Sequence, residues 1–223
     1  MPATAIYQSA GGWGFVESGT DFTDQTASMV KIHGGIRSTN ETDSFAQNFQ
    51  VSRMMSSAAR FYGVPYGSEP AGFNSYKGVA ARIYEQIVTN GQHLFFYSGN
   101  ITNNDSIATW LALAPLLDQR AAPVIDVAVL YPDTPSKLDD GVFRNLYSST
   151  FYQRVGALRP HLDFDYCSER MVREGALPRY KALVLAWSFT LEKETFDAID
   201  AWVRSGGTVL CNYWDRMPYQ TVE

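Results

Sequence analysis

Arg120-Ala121-Ala122-Pro123-Val124 leads into Ile125-Asp126-Val127-Ala128-Val129-Leu130-Tyr131, and the reading of the whole chain turns on this stretch. An apolar, β-branched run of this length suits a buried parallel strand. The βα rhythm restarts here, so the chain divides into residues 1–122 and 123–223.

Working outward toward the C-terminus, Pro132 to Asp140 reads as a polar loop and Val142 to Leu158 as a helix. Asp163–Cys167, Ala182–Trp187 and Thr208–Cys211 read as further strands. Helices over Ser168–Gly175 and Glu192–Arg204 separate them, the second stopped by Ser205-Gly206-Gly207. Toward the N-terminus, strands are expected at Ala5–Gln8, Gly14–Val16, Gly35–Thr39, Tyr62–Gly67 and His93–Tyr97. Pro65 argues against the fourth of these, because a strand proline lacks a ladder donor. Helices are expected over Thr23–His33, Asp43–Phe61, Gly78–Thr89 (closed by Asn90-Gly91) and Asp105–Gln119, the last kinked at Pro115. Short apolar runs alternating with longer helical stretches specify an α/β protein with parallel sheets.

Composition narrows the function. The net charge of -5, with no Lys/Arg run, argues against a nucleic-acid surface. No stretch approaches a membrane span, and the first residues lack a signal-peptide pattern. Location stays open. Cys167 and Cys211 have no metal-binding spacing and read as small hydrophobes at strand ends. With only three scattered histidines, no metal or cofactor is expected. The aromatic content of 14% suits a sugar site, where ring faces stack, and equally suits core filling.

The second half resembles the trimerisation domain of family 42-type β-galactosidases, which has a flavodoxin-like, class I amidotransferase-like fold. The resemblance is carried by Asp163-Phe164-Asp165-Tyr166, Ser168-Glu169-Arg170-Met171-Val172, Gly175-Ala176-Leu177, Arg179-Tyr180-Lys181-Ala182-Leu183-Val184 and Ala198–Val209. Its most specific part is Val203-Arg204-Ser205-Gly206-Gly207-Thr208. Amidotransferase chemistry needs a cysteine on a glycine-rich elbow, with a histidine later. Cys211 has neither. The resemblance instead implies oligomer contact, a trimer, and a domain cut short.

In such enzymes this domain follows a (β/α)8 barrel. The resemblance therefore makes residues 1–122 the C-terminal half of a barrel, strands 5 to 8, with strands 1 to 4 outside this chain. Gly67-Ser68-Glu69-Pro70-Ala71-Gly72, followed by Gly78–Tyr84, looks like the strand-7 region of these glycosidases. Barrel enzymes place their chemistry at the C-terminal ends of strands. The resemblance implies that Glu69 is the nucleophile of a retaining mechanism, which also needs a second carboxyl as acid/base. Glu69 also reads as a solvated loop acid before a proline. Asn40-Glu41 has the Asn-Glu pattern of the acid/base strand but lies one βα unit before Glu69, whereas that strand lies three units away. Glu41 is thus the acid/base, a rim group, or a cap for the helix near Asp43. Arg37, Asn40, Tyr66, Tyr97, Asn100 and Trp13 are candidate carbohydrate-binding residues, each with an alternative packing or surface role.

Three readings follow: part of a retaining, β-galactosidase-like glycoside hydrolase that is inactive as this piece alone; a non-catalytic oligomerisation module; or a small α/β binding protein.

Overall fold

Tyr7–Ser9 (β1), Gly35–Glu41 (β2), Tyr66–Ala71 (β3) and His93–Leu94 (β4) pair in chain order into a four-stranded parallel sheet. The structure is a computed structural model. It describes residues 6–9, 21–41, 43, 45–71, 74–94, 101, 103–117, 123–138, 150–211 and 220–223, with Asn40, Glu41, Gln47, Pro70, Ala71 and Thr150 as backbone only. The chain forms two compact units, Met1–Pro123 and Val124–Glu223.

In the first unit, Phe22–Val30 (α1), Phe45–Tyr62 (α2) and Tyr76–Val88 (α3) cross between consecutive strands. Asn104–Leu113 (α4) follows β4 and tightens into one 3-10 turn, Ala114–Leu116, at Pro115. Parallel strands added in sequential order with the usual right-handed crossover would place the crossing helices on one face of the sheet.

Polar caps fix where these helices begin. Asp21 accepts from the backbone N–H groups of Thr23 and Asp24 at 2.9 Å, Ser75 accepts from Gly78 at 3.4 Å, and Asn103 accepts from Ser106 at 2.8 Å. α3 ends where Asn90 takes a φ of 57° and Gly91 donates to the Gln86 carbonyl at 2.8 Å. α2 is buried on every side from Asn48 to Ala59, polar residues included. Arg53 and Arg60 on α2 donate to the carbonyls of Val88 (2.9 Å) and Thr89 (3.1 Å), placing cations at the C-terminal end of α3.

The third strand starts later than the expected Tyr62. Helix α2 runs through Tyr62 and turns at Gly63, whose φ is +70°. Pro65 sits just before β3 and offers its carbonyl to Ile36 N–H at 2.9 Å, a position where its missing donor costs nothing. Of the expected strand His93–Tyr97, the described part is His93–Leu94, and Gly14–Val16 lies outside the described residues.

In the second unit the strands are Val127–Leu130 (β5), Asp165–Cys167 (β6), Ala182–Leu185 (β7), Thr190–Glu192 (β8), Thr208–Cys211 (β9) and Gln220–Val222 (β10). Four of them form a parallel sheet in the order β6-β5-β7-β9. The chain goes first to one side of β5 and then to the other, which makes the sheet doubly wound. Ala128, Val129, Leu130, Phe164, Tyr166 and Leu183 fill its core. The described helices are Asp133–Leu138 (α5), Thr150–Leu158 (α6), Glu169–Arg173 (α7) and Lys193–Arg204 (α8). α8 ends at Gly206, with φ +109°, and a Cβ on Gly207 would overlap the Trp202 ring. Both glycines of the Ser-Gly-Gly turn therefore have a steric reason.

Three features of this unit differ from the sequence reading. The expected loop Pro132–Asp140 contains α5. The buried Glu169 carboxylate accepts from the N–H groups of Thr134 (2.8 Å) and Glu192 (3.0 Å), while Asp133 accepts from Glu169 N–H at 2.7 Å. These bonds hold the start of α5 in place. The C-terminal residues include β10, which pairs parallel with β8. Cys211 is exposed, unlike the buried Cys167.

Candidate active site

Side chains alternate between the two faces of a strand. Cα partners along β2 and β3 are Ile36 with Tyr66, Arg37 with Gly67, Ser38 with Ser68 and Thr39 with Glu69. Ile36, Ser38, Tyr66 and Ser68 therefore share one face, and Arg37, Thr39 and Glu69 share the other. The hydrogen bonds identify the first as the helix-facing side. Ser38 and Tyr66 hydroxyls lie 2.9 Å apart, and Gln86 of α3 donates to Ser68 at 2.7 Å. Ser52 of α2 donates to Glu85, which also faces Arg82 at 3.4 Å. Burial, then the charge of Glu85, pushes the Tyr66 phenol well above its ordinary range. Burial pulls the Arg82 guanidinium down, opposed by Glu85 and Asp43.

Glu69 occupies the opposite face near the C-terminal end of β3. It is 6% exposed and forms an ion pair with Arg37 across the β2–β3 seam. A buried carboxylate is costly unless charged or hydrogen-bonding groups meet it, and the guanidinium supplies both. On the same face, the Tyr7 and His93 rings meet edge to face at 5.0 Å. In a flat sheet the outer strands would lie about 14 Å apart, three strand spacings. The rings close this gap over two glycines. A Cβ on Gly35 would overlap the Tyr7 ring, and one on Gly67 would fall 2.8 Å from the His93 carbonyl.

The candidate residues therefore separate. Arg37 and Glu69 come together. Tyr66, expected at the end of its strand as a carbohydrate contact, instead starts β3 and is buried on the helix side, away from Glu69. Asn40 and Glu41 end β2, with Cα partners Pro70 and Ala71. Trp13, Tyr97 and Asn100 lie outside the described residues. Sequence reasoning missed Thr39 beside Glu69 and the Tyr7–His93 pair. Counting alternate positions from Glu69 would have found Gly67 on its face and excluded Tyr66.

Among the described residues, no group of three or more His, Cys, Asp or Glu side chains could hold a metal ion. No described helix is long and apolar enough to cross a membrane. In the second unit, burial pushes the Cys167 thiol far up, leaving it a poor nucleophile.

No protein-family model matches the sequence, and no curated protein matches it. Among solved structures the chain is similar to Gan42B, a GH42 beta-galactosidase, with a TM-score of 0.48 and 16% identity. The match covers 89% of this chain and 41% of that one, so this chain spans less than half of that chain's length.

Proposed function

We propose that this chain is part of a retaining glycoside hydrolase of β-galactosidase-like specificity, with Glu69 as its nucleophile. The observation that carries the reading is the buried Glu69–Arg37 pair near the C-terminal end of an inner strand, on the sheet face opposite the Ser38–Tyr66 and Ser68–Gln86 bonds. Barrel enzymes place chemistry there. A sheet in chain order, continued by further βα units, forms half of such a barrel.

In this mechanism a Glu69 oxygen attacks the anomeric carbon while an acid protonates the departing glycosidic oxygen. A covalent glycosyl-enzyme forms, and water then releases the sugar with net retention. Arg37 holds one side of the carboxylate and orients the other for attack. The acid/base belongs to another strand or is Glu41. The 223-residue chain alone is proposed to be inactive. The second unit would serve assembly, as a trimer. Supporting this, β9 is exposed at the sheet edge beside a hollow of about 440 Å³ lined mainly by Leu185, Leu191, Phe196, Ile199, Val203 and Val209.

The test is Glu69→Ala in the full-length protein with an activated aryl β-galactoside. Turnover should fall by several orders of magnitude. Azide should restore it and yield a glycosyl azide of inverted configuration. Unchanged turnover in the variant would remove Glu69 from the mechanism.

A further inference from the structure

The layer behind Glu69 is polar where the strands of a buried parallel sheet are ordinarily apolar. Ser38, Ser68, Arg82, Glu85 and Gln86 are fully buried there, and Tyr66 is 2% exposed. Apolar residues of similar size would pack this layer without hydrogen-bonding demands. The bonds lie beside the two charged residues in sequence. Ser38 follows Arg37 and bonds Tyr66 across the seam at 2.9 Å; Ser68 precedes Glu69 and accepts from Gln86 at 2.7 Å. Gly91 makes room for the Gln86 amide, because a Cβ there would overlap Gln86 Oε1.

We infer that Gln86 is a positioning residue for Glu69, acting through Ser68 to fix β3 behind the Glu69–Arg37 pair. Consecutive strand residues share a peptide plane, so fixing the Ser68 side chain restricts the direction of the Glu69 Cα–Cβ bond. Reacting groups must be held to within about 0.5 Å. Gln86 itself touches no substrate. The inference rests on the glycosidase reading above.

The experiment compares Gln86→Met, Ser68→Ala, the double variant and Glu69→Gln in the full-length protein. Melting temperature, kcat and KM are measured with an aryl β-galactoside, and kcat is expressed per folded molecule. Gln86→Met should lower kcat on the order of 10- to 100-fold with KM within about twofold. Ser68→Ala should do the same and is the milder substitution if Gln86→Met fails to fold. The double variant removes both partners, so its melting temperature should recover toward wild type while kcat stays low. Recovery of both would make the bond merely structural and overturn the inference, as would wild-type kcat in the single variants while Glu69→Gln is inactive. Wild-type turnover in Glu69→Gln would instead overturn the glycosidase reading itself.

Discussion

The two sheets are built from the same βα unit and use their inner strands differently. In β6-β5-β7-β9 the central strands carry Ala128, Val129, Leu130 and Leu183, and their order reverses at β5. In β1-β2-β3-β4 the central strands carry Arg37, Ser38, Ser68 and Glu69, and the strands follow chain order throughout. An apolar inner strand is held by area removed from water, an attraction without directional demand. A polar inner strand is held by directional bonds, which specify position at some cost in stability. The difference separates a sheet with apolar inner strands from one whose inner strands carry a buried ion pair.

Breaking the apolar sheet should give the largest loss of stability. Leu183→Ala removes a fully buried side chain from β7 and should cost about 2–5 kcal/mol in chemical denaturation of the second unit. Turnover per folded full-length molecule should stay near wild type. Arg37→Met removes the guanidinium facing Glu69 and should affect turnover as well. We expect kcat to fall on the order of 10²-fold, as for a misplaced reacting group, and the first unit to lose stability because Glu69 stays buried without its counter-charge.

Gly67→Ala sharpens the comparison at one atom. Its Cβ would press on the His93 backbone, so the strands must move apart, at a cost of about 1–3 kcal/mol of unfolding free energy in chemical denaturation. Gly175→Ala in the second unit meets no neighbour but keeps a φ of +89°, and should cost about 1–2 kcal/mol through backbone strain alone.

The smallest expected effect is alkaline. Tyr66 in the first unit and Tyr152 and Cys167 in the second hold their protons above their ordinary values, chiefly through burial. The unfolded chain releases those protons first. Their stabilisation is therefore complete below the unfolded values, near 9 for the thiol and 10 for the phenols, and is lost as pH rises from there. Between pH 8 and 10 denaturation should show a loss of a few tenths of a kcal/mol in the first unit and about 1–2 kcal/mol in the second, where the thiol contributes most. Constant stability over that range would contradict the burial of these groups.

The α/β class was legible because apolar runs such as Val127–Leu130 and Ala182–Leu185 are separated by helices of clear periodicity. The Asn90-Gly91 and Ser205-Gly206-Gly207 stops were legible because backbone geometry there demands particular residues. Strands β8 and β10 were not: three residues each, Thr190–Glu192 and Gln220–Val222, carry no usable period. α5 was missed because its support comes from Glu169, far along the chain. At the candidate site, Arg37 and Glu69 were both named from sequence, but their pairing depends on register, which no local pattern fixes. Tyr66 was misplaced because the strand was started at Tyr62 rather than after Pro65.

The central claim is that Glu69 attacks the sugar, and covalent trapping tests it most directly. A 2-deoxy-2-fluoro-β-galactosyl fluoride would be incubated with the full-length protein, followed by digestion and peptide mass spectrometry. The fluorine slows both chemical steps, while the good leaving group lets the first proceed, so the glycosyl-enzyme accumulates. The account predicts one fluorosugar on Glu69, with activity lost in proportion to labelling and no labelling in Glu69→Gln. A fluorosugar on Glu41 or any other carboxylate, with Glu69 unmodified in the inactivated enzyme, would contradict it.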